Sequence, residues 1–218
     1  IGDYQMDTII RFFQEGGTFM YPIAIILAVG LAVTLERFIF LTREKSSNRQ
    51  AFEDVLPMLQ KRDFRAALNY TNASVAKISI IFSAGINRIP SGRREDIELA
   101  MEEGVMEAIP QLEKRTQYVA TLANIATLMG LLGTIMGLIA AFTAVAHAAP
   151  AEKATLLSQS ISVAMNTTAF GLMAAIPLLL SHAFLQAKTN EIVDSIEMAG
   201  VKFLNIVTER KPTPTKEG

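Results

Sequence analysis

Three charge-free stretches stand out along the chain. Residues 16–35, 116–151 and 154–187 contain no Asp, Glu, Lys or Arg over 20, 36 and 34 positions. Each is long enough for the roughly 20 residues that cross a bilayer core as a helix. The pattern predicts membrane-spanning helices over 17–41, 118–147 and 157–186. The first is not read as a cleaved signal: its apolar part runs from Phe19 to Leu35, no small-residue cleavage site follows, and a second apolar run, Phe38 to Leu41, comes after Glu36 and Arg37.

Between and beyond these stretches the period is helical. Met6, Ile9, Ile10 and Phe13 recur beside Asp3, Asp7 and Glu15, which predicts an amphipathic helix at the membrane interface over residues 1–16. Phe52, Val55, Leu56 and Leu59 form one apolar stripe, and Phe64, Ala67 and Leu68 another. After a turn at Ser91-Gly92, Ile97, Met101, Val105 and Leu112 line a helix expected to run into the second span with Pro110 as a local kink. Ile192, Ile196, Ala199, Phe203 and Ile206 extend the third span as an amphipathic helix to about 210, and 211–218, with two prolines, reads as a disordered tail. The fold class is therefore an all-α membrane protein. It has three transmembrane helices, a helical domain over 42–117, a short loop over 148–156 and a further helix over 187–210.

Composition agrees with a membrane chain: 50% hydrophobic, 19% charged, mean hydropathy +0.32. A formal net charge of -1 gives no reason to expect nucleic acid as a partner. The chain has no Cys and only two His, His147 and His182, which leaves no thiolate site and little for zinc. No phosphate-binding glycine loop and no hydrolase, kinase or redox constellation is present, so an enzyme is not expected, nor a metal or other cofactor. Charge placement sets orientation: residues 43–115 hold 12 Lys and Arg, against only Arg11 before the first span and Lys153 between the second and third. The N-terminus should face outside, and the large loop and the tail the cytoplasm.

The second and third spans are rich in small and hydroxyl residues. Thr127, Gly130, Thr134, Gly137 and Ala141 fall on one helical face. Ser158, Ser162 and Asn166 share a face of the third span, and Ala164, Thr168, Gly171 and Ala175 a neighbouring one. One reading is helix packing, since Gly133 and Gly137 make a GxxxG and small residues let helices approach in lipid. Gly130, Gly133, Gly137, Gly171 and Pro177 are the packing candidates. The other reading is a hydroxyl and amide lining for an ion path or for a partner's ionisable group. Both can hold on different faces. Pro177 frees the Met173 carbonyl and can bend the third span, and the two His read as interfacial residues.

Three motifs in order then resemble those of the ExbB/TolQ/MotA family of ion-driven stator proteins: GGTFMYPI with ERFIFL (16–23 and 36–41), GLLGTIMGLIAAF (130–142) and NTTAFGLMAAIP (166–177). Three spans with an outside N-terminus resemble the ExbB/TolQ branch. The resemblance implies a multi-pass protein of the bacterial inner membrane with a periplasmic N-terminus. It further implies a homo-pentamer around two copies of a single-span ExbD/TolR-like partner with a membrane Asp, acting in turn on a TonB/TolA-like protein. It implies a channel or stator subunit that couples H+ or Na+ flow to movement of that partner, energising transport or envelope processes at the outer membrane. By motif position Thr134 and Thr168 are the ring residues that meet the partner's Asp, joined in the path by Thr127, Thr167 and Asn166. Two departures matter. Thr127 stands where many relatives have Pro, and Val163 where many have Glu, so no carboxylate remains at membrane depth on this chain. A passive scaffold without ion conduction is the rival reading.

Overall fold

The computed structural model describes residues 16–208, entirely as helices and their connections. The expected interfacial helix before Gly16 and the tail after Thr208 lie outside the described residues. The elements are α1 (Met20–Gln60), α2 (Phe64–Ala73), α3 (Lys77–Arg88), a 3-10 turn (Ile89–Ser91), α4 (Arg94–Glu113), α5 (Thr116–His147) and α6 (Lys153–Thr208). Three long stretches, in α1, in the Arg94–His147 region and in α6, are long and apolar enough to cross a membrane. Two compact units share these elements. The first comprises residues 16–37 and 115–185, and the second residues 38–114 and 186–208.

The first unit packs α5 against α6 and the start of α1 through small side chains. Its core holds Met20, Ile23, Val119, Ala123, Ala126, Ala141, Ala164, Ala174, Ala175 and Leu178. A Cβ on Gly171 would stand 2.8 Å from the Ala126 carbonyl oxygen and 2.9 Å from Gly130 Cα. The two backbones are therefore in direct contact. Gly137 lies against Ala164, Gly133 against Thr167, and Gly30 of α1 against Leu178 of α6. In lipid, where apolar side chains gain little from leaving the solvent, such close approach carries helix association. Large apolar residues on the outer faces remain exposed on this chain, Leu128, Leu131, Ile139 and Phe142 among them.

The second unit has a conventional core. Phe82 of α3 stacks on Phe203 of α6, ring centroids 5.1 Å apart, with Leu59, Ile78, Ile81, Leu112 and Ile192 fully buried in the same unit. Local chemistry sets the element ends. Asp63 caps α2 by accepting from Ala66 N at 3.0 Å, and Asn48 of α1 caps α3 by accepting from Ile78 N at 2.9 Å. Gly92, at φ 71°, makes the turn into α4. There Arg93 grips Asp96 through two hydrogen bonds of 2.7 and 3.0 Å, which hold the carboxyl below its ordinary range.

The passage from α4 to α5 differs from the expected Pro110 kink. The helix continues through Pro110 and stops at Glu113; Lys114 leaves helical geometry at φ -47° and ψ 133°, and Arg115 is left-handed at φ 69°. The apolar pattern conceals this break, because Leu112, Thr116 and Val119 are all buried at spacings of four and three across it. A change in one residue's backbone leaves no mark on such a period. Pro177 likewise leaves α6 uninterrupted.

Candidate functional site

The α5 and α6 seam is antiparallel, and one threonine from each span meets the other on it. Thr134 lies one turn beyond Gly130 on α5, and Thr168 one turn beyond Ala164 on α6. Thr134 Oγ1 and Thr168 Oγ1 are in direct hydrogen-bond contact. Thr168 Oγ1 donates to the Gly130 carbonyl at 3.0 Å, and Thr134 Oγ1 lies 3.3 Å from the carbonyls of Ala164 and of its own Gly130. The hydroxyls thus bridge the helices in both directions. Gly130 permits it, because a side chain there would meet Gly171 Cα at 3.1 Å and Thr168 Cα at 3.3 Å.

A hydroxyl has one proton to give and two lone pairs to receive. With Thr168 donating to Gly130, Thr134 can donate to Thr168 or to Ala164, and acceptor capacity remains on both oxygens. Both threonines are only half-buried on this chain. The pair sits in helical stretches, 116–151 and 154–187, with no Asp, Glu, Lys or Arg. Such a site can solvate a cation through the remaining lone pairs, or donate to a carboxylate once a hydroxyl releases its present acceptor, and neutral oxygens do so without trapping the ion.

The remaining expected path residues divide. Thr127 lies on the Thr134 face two turns away, about 10 Å along the helix, and donates to its own Ala123 carbonyl at 3.2 Å. Thr167 is turned elsewhere: it is buried, it donates to the Gly16 carbonyl at 2.6 Å, and its methyl packs on Gly133. That hydroxyl ties the segment entering α1 to α6. Asn166 is half-buried and makes no side-chain hydrogen bond with the described residues. Ser158 and Ser162 are exposed, and Val163 approaches Gly17, where a Cβ would stand 3.2 Å away. Among the packing candidates Gly130, Gly133, Gly137 and Gly171 lie at helix contacts within the chain. Pro177 is exposed, while Ala174 and Leu178 on either side are buried. The carbonyls of Gly130, Ala164 and Gly16 escaped the sequence reading, since a backbone acceptor has no residue-type signal.

The model of the MotA/TolQ/ExbB proton channel family matches residues 73–198, more than half of the chain and inclusive of both threonines. The chain belongs to this family. An ExbB homolog of Methanothermobacter thermautotrophicus, named as a biopolymer transport protein, is 28% identical over 193 residues, covering 88% of this chain and 67% of that one. The Tol-Pal system protein TolQ of Haemophilus influenzae is 36% identical over 95 residues, covering 43% and 40%. The biopolymer transport protein ExbB of Aquifex aeolicus is 32% identical over 116 residues, covering 51% and 74%. Three apolar helices and this family together make the chain a multi-pass membrane protein.

Proposed function

We propose that this chain is an ion-channel and stator subunit of the inner membrane, its N-terminus periplasmic. Five copies surround two copies of a single-span ExbD/TolR-like protein, and proton flow past its membrane carboxylate drives movement of that partner. The observation that carries this reading is the Thr134 and Thr168 hydroxyl pair between two charge-free helical stretches, 116–151 and 154–187. The proton is taken as the ion because the family is described as one of proton channels. Each charge falling through 100 mV releases about 2.3 kcal/mol, so a few ions per step suffice for mechanical work. With Val163 at the family's frequent Glu position, the titrating carboxylate of the path belongs to the partner.

The scaffold reading has its own support, since main-chain carbonyls of Gly130 and Ala164 already satisfy both hydroxyls. Flux decides between them. The co-expressed complex with its partner, reconstituted in liposomes with an internal pH dye, should pass protons under an imposed potential, and native mass spectrometry should count five and two copies. A correctly assembled complex that passes no protons would establish the scaffold.

A further inference from the structure

Thr116 Oγ1 and His182 Nε2, both in the first unit, are buried polar atoms without a hydrogen-bond partner among the described residues. Thr116 is 1% exposed. Such groups are nearly always satisfied by protein or by an ordered water. Helix register places the two together. Thr134 and Ala164 face each other, joined by the 3.3 Å bond to the Ala164 carbonyl. Thr116 lies 18 residues before Thr134 and His182 18 residues after Ala164, five whole turns on each helix. In an antiparallel pair these steps run the same way along the seam, about 27 Å towards the Arg115 end. Thr116 and His182 therefore occupy the faces and the level at which α5 and α6 meet. Buried Val119, Ala123 and Ala126 on one helix and Ala174, Leu178 and Leu185 on the other continue the seam to this point. Thr127 marks the same α5 face in between.

We infer that Thr116 Oγ1 and His182 Nε2 hold an internal water and form the proton-exchange site at the Arg115 end of the path. This rests on the channel reading above and adds to it a titrating group on this chain. The chemistry favours a proton over a metal cation. An imidazole nitrogen beside one hydroxyl accepts or donates a proton and exchanges it through water, whereas Na+ and other hard cations require several oxygens. The charged groups on the neighbouring helices at this end are Glu36 and Arg37 of α1 and Arg115 at the start of α5. Glu36 and Arg115 pair at 3.6 Å, and Arg37 is buried.

The test uses the reconstituted complex with its partner, proton flux being read by an internal dye between pH 5.5 and 8. His147→Gln, which leaves His182 as the chain's one imidazole, should conduct as the parent does and with the parent's dependence on pH. His182→Gln, which retains an amide for the water but does not titrate, should flatten that dependence and pass protons about tenfold more slowly at neutral pH. Thr116→Val should slow flux and keep the pH dependence, and Glu36→Gln should keep both. A His182→Gln complex with the parent's rate and pH profile would overturn the inference and leave the channel reading standing. A parent complex that passes no protons would overturn both. Should His182→Gln fail to assemble, nitrogen NMR of the His147→Gln protein decides. A lone ring that titrates and exchanges with water supports the site, and one that stays neutral down to pH 5 overturns it.

Discussion

Thr134 and Thr168 meet hydroxyl to hydroxyl across the α5 and α6 seam, and Thr168 is also bonded at 3.0 Å to the carbonyl of Gly130 on the opposite helix. The contact exists because glycine at 130 and at 171 lets the two backbones touch. Packing and chemistry therefore share one seam. The first expectation from this arrangement concerns the hydroxyls themselves. Thr134→Val and Thr168→Val retain shape and remove a group that would face a charge, a loss of about 1.5 to 3 kcal/mol, or at least tenfold in flux. The Ser variants should keep most of the flux. Oligomer state is to be measured alongside, and active Val variants beside impaired Ser variants would assign these positions to packing alone.

Thr167 should behave differently from its neighbour. Its hydroxyl bonds the Gly16 carbonyl at 2.6 Å, so Thr167→Val should lower the melting temperature of the purified protein, by the equivalent of about 1 kcal/mol. Flux per assembled complex should be unchanged. A fall in flux without loss of stability would return Thr167 to the path.

Gly171 should be intolerant of any side chain. Alanine there would place its Cβ 2.8 Å from the Ala126 carbonyl oxygen, a backbone atom that cannot swing aside. Gly171→Ala should cost about 1 to 3 kcal/mol, as overpacked cores do, measured by thermal unfolding in detergent. Gly92→Ala, by contrast, meets nothing within 4 Å. Its cost should be confined to its left-handed backbone, about 1 kcal/mol.

Topology has a simple test because the chain contains no Cys. Single Cys substitutions at Ser91 and Ala151, both exposed on this chain, should separate. A membrane-impermeant thiol reagent applied to intact cells should label position 151 and spare position 91. Labelling of position 91 would reverse the orientation drawn from the Lys and Arg placement.

The amino-acid sequence by itself determined the elements and their membrane character. Hydropathy and charge are summed over 20 residues or more, and no tertiary contact alters a charge-free run of 36 positions. It also named the residue types at the seam, since Thr134, Gly130 and Gly137 share a face at any helical geometry. What it could not determine was rotation and register between helices. Those depend on which small residue meets which, Gly130 on Gly171 and Gly137 on Ala164, and they direct the Thr168 hydroxyl to its partner helix while turning Thr167 towards Gly16. Adjacent threonines carry the same propensity and the same hydropathy. A rotation of about 100° per residue gives them different work. The break at Lys114 and Arg115 is likewise decided by backbone geometry, to which a periodic pattern of side chains is blind.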